Sequence, residues 1–254
     1  ISQLVYETVG IHLPPEKRVL VESRLQQLLK QENLTSFDEL YKRIISDESG
    51  ILLSEMINRI TTNHTYFMRE SAHYDFMVQQ ILPRWKNEPY RDIRIWSAGC
   101  STGAEPYSLA MIMLDRAPQS RHRILATDID VEMLAKARRG VYTQGELKNI
   151  PAFRLDKYFK RDGASFAVKD EVKAAVEFQR HNLLFDKFDS GFDLILCRNV
   201  VIYFTEEAKD ALYRRFFAAL KPGGVFFVGG TEAILNFRDI GFQSYLPFFY
   251  QKPL

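Results

Sequence analysis

Residues 1–70 place their apolar side chains at helical spacing. Val21, Leu25, Leu28 and Leu29 recur at i, i+4, i+7 and i+8, one stripe of an amphipathic helix. Pro14-Pro15 followed by Glu16 opens that helix, since proline is tolerated in a first turn. Thr35-Ser36 ahead of Asp38-Glu39 predicts another N-terminus, and Leu40, Ile44 and Ile45 continue its apolar face. A third helical segment runs from about 52 to 60. No stretch here reads as a strand. The segment is a small all-helical module.

From about Tyr90 the pattern changes. Short β-branched or aromatic runs at 93–97, 124–128, 176–181, 192–197, 225–229 and 245–251 predict strands. Helical stretches at 106–116, 131–139 and 206–220 fit between them. Strands alternating with helices predict a mostly parallel sheet with crossover helices. The stretch 141–175 is longer than such a crossover needs and reads as an insertion, a small antiparallel β unit. The domain reading is therefore 1–70 helical, 71–90 a linker or helix, and 91–254 an α/β domain carrying the insert.

The composition leaves this picture intact and narrows the setting. Of 254 residues, 46% are hydrophobic and 26% charged, as in a soluble globular protein with a sizeable core. The two cysteines, Cys100 and Cys197, lie in apolar runs and point to a reducing, cytoplasmic compartment. No apolar run reaches a membrane span. Residues 1–10 lack the basic start and apolar core of a signal peptide. The five histidines have no metal-ligand spacing, so no metal site is expected.

The chemistry concentrates after the first strand. In the run 93–106 (IRIWSAGCSTGAEP) a buried strand enters a small-residue turn and a helix begins near Pro106. Gly99 and Gly103 let a ligand approach the backbone, and the helix start offers unpaired N–H groups. Ser101 stands where a dinucleotide fingerprint needs its second glycine, which counts against a nicotinamide enzyme. The next strand ends at Asp128, where an acid reaches ribose hydroxyls, although a helix cap is the plainer role. Leu220-Lys221-Pro222-Gly223-Gly224 then places a turn between a long helix and an apolar strand.

Glycine turn, acid and KPGG in this order resemble the class I S-adenosylmethionine-dependent methyltransferases, Rossmann-like folds with a mostly parallel sheet. Five motifs together carry a closer resemblance: 61–70 (TTNHTYFMRE), 96–107 (WSAGCSTGAEPY), 126–130 (ATDID), 197–204 (CRNVVIYF) and LKPGG. The chain resembles the CheR-type chemotaxis receptor glutamate O-methyltransferases over essentially its whole length. Its helical module and its insert fall where that family has an N-terminal domain and a β-subdomain.

That resemblance implies a methyl transfer from S-adenosyl-L-methionine to receptor glutamates, leaving S-adenosyl-L-homocysteine and a methyl ester that serves sensory adaptation. It implies a cofactor site of Asn63, Thr65, Arg69, Gly99, Glu105, Asp128, Asn182, Leu183, Arg198 and Asn199. Arg69 and Tyr203 are placed near the acceptor as catalytic residues. The plainer roles stay open: an ion pair for Arg69, a buried ring for Tyr203, a turn for Asn182 and a cap for Asn199. Tyr66-Phe67-Met68 is either a cofactor lid or packing.

The partners implied are the cytoplasmic helices of chemotaxis receptors, with no nucleic acid, no membrane insertion and a monomeric enzyme. A nucleic-acid methyltransferase is disfavoured because the fourth strand exits into Arg198-Asn199-Val200-Val201, without an Asn/Asp-Pro-Pro-aromatic tetrapeptide. A non-catalytic module that binds the cofactor is disfavoured by Arg69, Glu105, Asp128 and Tyr203 together. Two surfaces suit an acidic receptor. Lys17, Arg18 and Arg24 flank the first helical stripe, and 121–173 holds 12 basic against eight acidic residues within a chain of net charge +2. The short stretch 163–170 favours recognition without a receptor tail tether.

Overall fold

A computed structural model describes residues 1–13, 15–60, 65–86, 92–118 and 120–254. The chain forms two compact units, Ile1–His64 with Tyr203–Lys209, and Thr65–Ile202 with Asp210–Leu254.

The first unit holds helices α1 (Ser2–Val9), α2 (Arg18–Gln31), α3 (Phe37–Ser46) and α4 (Ile51–Ile60). A 3-10 turn, Pro15–Lys17, precedes α2, so the proline-led start lies one turn ahead of the helix proper. Leu25 and Leu28 of its apolar stripe are buried with Leu40, Ile44, Met56 and Ile60. Ser36 caps α3 by accepting the Glu39 N–H at 3.2 Å, and the Glu39 carboxylate returns to the Thr35 N–H at 2.7 Å. Such a cap contributes about 1 kcal/mol. The pattern does not predict helix α1, because among its described side chains only Val5 is fully buried.

The second unit opens with α5 (Ser71–Phe76) and α6 (Pro83–Lys86) and then builds the sheet. Strands β1 (Asp92–Ala98), β2 (Arg121–Asp128), β6 (Val176–Arg180), β7 (Phe192–Cys197), β8 (Leu220–Val228), β9 (Gln243–Leu246) and β10 (Phe249–Gln251) form one sheet in the order β6-β2-β1-β7-β8-β10-β9. The first five run parallel, while β10 lies antiparallel to both β8 and β9. That reversed strand separates the sheet from the all-parallel dinucleotide order. Crossovers come from α7 (Ala104–Arg116), α8 (Val131–Arg139) and α11 (Glu206–Ala219), with α12 (Phe237–Ile240) before β9.

Chain order turns around between β1 and β7. From β1 the chain steps outward to β2 and β6, then returns to the other side of β1 as β7. A ligand crevice forms outside the carboxyl ends of strands at such a reversal. Every residue of β7 is buried, as expected of a central strand covered on both faces.

The insert is a small antiparallel sheet of β3 (Val141–Thr143), β4 (Phe159–Asp162) and β5 (Ser165–Val168) in the order β3-β5-β4, with α9 (Ala152–Tyr158) and α10 (Asp170–Lys173). Asp115 of α7 anchors it, accepting from Arg154 Nε at 2.8 Å, Lys157 Nζ at 2.8 Å and Tyr158 OH at 2.6 Å.

Two local expectations change. The run 245–251 is not one strand: Phe248 adopts φ +70, a left-handed turn that folds the aromatic stretch into the β9–β10 hairpin. KPGG is not a turn ahead of a strand but an irregularity within β8. Leu220 pairs with Phe192 and Val225 pairs with Leu194, and the register shift is taken up between them with Gly223 at φ +73.

Candidate active site

The sheet brings the carboxyl ends of β1, β2, β6, β7 and β8 to one edge. After β1 the chain makes a loop with Gly99 at φ +82, Ser101 at φ +48 and Gly103 at φ +85. Both Gly99 and Cys100 donate backbone N–H groups to the Thr127 carbonyl, at 2.8 and 2.9 Å, which ties the loop to the end of β2. Glycine is required at 103 because a Cβ would lie 2.9 Å from the Ala137 Cβ. At Gly99 a Cβ would meet Val200 Cγ2, so the loops after β1 and β7 touch there.

Asp128 sits beside this loop. Its carboxylate accepts the Ser101 N–H at 2.7 Å and the Asp130 N–H at 2.9 Å. Burial pushes the Asp128 carboxyl up to about 6, and those N–H donors restrain the rise. Capping of α8 falls instead to Asp130, which accepts from Glu132 and Met133. That leaves Asp128 the acid facing the glycine loop.

Glu105, in the first turn of α7, accepts from Ser97 Oγ at 2.8 Å and pairs with Arg198 Nη1 at 3.2 Å. The Arg198 side chain is 2% exposed and also holds Glu70 at 2.7 Å and the Arg69 carbonyl at 3.0 Å. Its guanidinium therefore organises the site from within. Burial would raise the Glu70 carboxyl, but the Arg198 hydrogen bond and charge more than offset that and hold it low.

Segment 65–70 belongs to this unit and is fixed firmly. Phe67 and Met68 are buried, and Phe67 meets Tyr142 edge-on at 4.8 Å. The Met68 N–H donates to Ser108 Oγ at 3.0 Å. Met68 and Glu70 both adopt left-handed backbone, φ +55 and +58. Phe67 and Met68 are packing, not a lid. Thr65 and Arg69 are half-buried, with the Arg69 guanidinium 5.8 Å from the Tyr66 ring centre.

Asn182 and Leu183 follow β6 next to Asp128, because His181 N–H donates to the Asp128 carbonyl at 2.9 Å. The Asn182 side-chain oxygen accepts the Leu184 N–H at 3.0 Å, so it also builds the turn there. Asn199, after β7, has φ +59. Asn63 and the Tyr203 side chain lie outside the described residues. Cys100 and Cys197 are fully buried, and burial pushes both thiols well up, as suits apolar fillers.

Sequence reasoning missed Glu232. It follows Gly229-Gly230 after β8 and is buried, with both carboxylate oxygens turned onto backbone N–H groups of the β7 and β8 loops. An acid directly behind a glycine pair at a strand end was the available signal.

Buried polar atoms at this edge without a partner among the described residues include Ser101 Oγ and Asn199 Oδ1. Both residues are non-glycines in left-handed backbone, which costs on the order of 1–3 kcal/mol each and clusters at ligand sites. Unpaired acceptors and an acid beside the glycine loop fit an adenosyl amino acid, which carries hydroxyl and amine donors.

The comparisons agree with that chemistry. The family model described as CheR methyltransferase, SAM binding domain, matches residues 63–245, and the CheR methyltransferase all-alpha domain matches 1–61. The chemotaxis protein methyltransferase of Borreliella burgdorferi is 38% identical, covering 98% of this chain and 92% of that protein. That of Listeria innocua is 37% identical over 99% and 95%, and that of Escherichia coli 39% over 91% and 82%. An S-adenosylmethionine-binding sheet domain behind an all-helical domain, alike in sequence over nearly its whole length, makes this chain a member of the CheR methyltransferase family, an S-adenosylmethionine-dependent enzyme.

Proposed function

We propose that the protein methylates glutamate side chains of chemotaxis receptors, forming glutamyl methyl esters. The single observation that carries the reading is the edge where the glycine loop, Asp128 and the unpaired Asn199 oxygen converge. The relatives' names supply the substrate class, since each is a chemotaxis protein methyltransferase.

Bound at this edge, S-adenosylmethionine supplies a methyl group made electrophilic by its sulfonium. The loop from Gly99 to Gly103 would border it, and Asp128, held against that loop by the Ser101 N–H, would accept from its hydroxyls. Glu105 is held by Ser97 and Arg198 and keeps the start of α7 in place. Asn63, Thr65, Asn182, Leu183 and Asn199 complete the set we assign to the cofactor, on the resemblance of their motifs.

The acceptor needs little acid–base help. A glutamate is already ionised near neutral pH, so no base must remove a proton. It needs instead to be stripped of water and aligned with the breaking bond. Arg69 is assigned to orient it by a charge-assisted hydrogen bond. Tyr203 is assigned to the acceptor on its motif alone.

The receptor's cytoplasmic helices are the proposed docking partner, with the mildly basic stretch 121–173 as the face that attracts them. No helix among the described residues is long and apolar enough to cross a membrane. Incubation with methyl-labelled cofactor and a receptor cytoplasmic fragment tests the reading. Label should enter the fragment, and label found in nucleic acid, or nowhere, overturns it.

A further inference from the structure

We propose that Glu232 is a positioning residue for the cofactor that acts through Asn199, an inference resting on the function proposed above. Its Oε2 accepts the N–H groups of Asn199 and Gly229, the latter at 3.0 Å, while Oε1 accepts the Val201 N–H at 3.1 Å. The carboxylate thus links the loop leaving β7 to the loop leaving β8. The side chain lies in a residue 5% exposed, and burial pushes its carboxyl up against the restraint of these donors.

A buried carboxylate is a costly way to fill space, and backbone donors alone must offset the lost hydration. What it secures is a strained conformation. Asn199 stays in left-handed backbone at φ +59 while its own N–H is taken by Glu232. Its Oδ1 is buried and has no partner among the described residues, which leaves it to accept from a ligand N–H or O–H. Gly229 is part of the device, since a Cβ there would stand 2.5 Å from Glu232 Oε2 and 3.1 Å from the Asn199 nitrogen.

Glu232→Gln is the test, because it keeps size but has one oxygen where two are needed. Its amide NH2 must then face either the Val201 N–H or the Asn199 and Gly229 pair. With the fold intact by circular dichroism, affinity for S-adenosylhomocysteine should fall about tenfold or more by calorimetry. The KM for a receptor fragment should not change. Adding Asn199→Ala should then cost nothing further, because both substitutions remove the same contact. In ligand-free protein, the amides of Asn199 and Val201 should exchange with solvent faster than in wild type, while those of β1 keep their protection.

Wild-type affinity in folded Glu232→Gln, or fully additive losses in the double variant, overturns the proposal. If Glu232→Gln does not fold, Glu232→Asp is read by the same two assays, since it keeps the charge but cannot span both loops. Failure of the wild-type protein to bind S-adenosylhomocysteine would instead remove the proposed function. Unchanged exchange at Asn199 and Val201 would then still overturn the role of Glu232.

Discussion

Arg198 Nη2 stands 2.7 Å from Glu70 Oε2, joining a residue at the exit of β7 to one at the start of α5. The same guanidinium reaches Glu105 at 3.2 Å, so one buried cation serves two acids. Truncation would leave Glu105, whose side chain is 13% exposed, without its cation. Arg198→Met should therefore lower stability by about 3 kcal/mol in urea unfolding. A loss no larger than that of an exposed pair, under about 1 kcal/mol, would show that the network contributes little.

Asp128 makes cofactor affinity depend on pH. Burial raises its carboxyl to about 6, above the ordinary range, so the ionised form is disfavoured in the ligand-free protein. Protonation takes away one acceptor site and the negative charge that strengthens hydrogen bonds from the ligand hydroxyls. Affinity for S-adenosylhomocysteine should hold above pH 7 and fall by up to about tenfold per unit below 6. Asp128→Asn should bind weakly and lose that slope. A flat profile in the wild type between pH 5 and 7.5 would count against the assignment.

Much of this edge was legible because it is written in local backbone. The glycines at 99 and 103 and the acid ending β2 act within a few residues of where they stand. Arg198 was named as a pocket residue, yet its partners Glu70 and Glu105 lie far off in the chain, so its buried network has no sequence pattern. Glu232 escaped for the same reason, as its donors at 199 and 201 come from another loop. The hairpin of β9 and β10 was hidden because its turn residue, Phe248, is as aromatic as the strands around it. Apolar runs report burial, not reversals of direction.

The glycine loop separates backbone strain from crowding. Gly99 and Gly163 both have positive φ, +82 and +58, so alanine at either costs about 1–2 kcal/mol. Only at Gly99 does the new Cβ also meet Val200, at 2.3 Å, while at Gly163 nothing lies within 4 Å. Gly99→Ala should be less stable than Gly163→Ala by a further 1–3 kcal/mol, roughly the cost of overpacking, and should lose cofactor binding. Equal unfolding midpoints for the two variants would contradict the contact between the loops after β1 and β7.

Arg69 should divide turnover from affinity. Its carbonyl is already held by Arg198 at 3.0 Å, so truncating the side chain leaves that backbone contact in place. Arg69→Ala should reduce kcat about a hundredfold, the scale of a misaligned acceptor, with little change in S-adenosylhomocysteine affinity. Near-normal catalysis on a receptor fragment would take Arg69 out of the mechanism.

The most direct test of the account is the chemical nature of the bond formed. A receptor fragment labelled from methyl-labelled cofactor should give up its label as methanol in mild alkali, as a glutamyl methyl ester does. Label that stays on the fragment through base would place the methyl on nitrogen or another stable atom and contradict glutamate methylation.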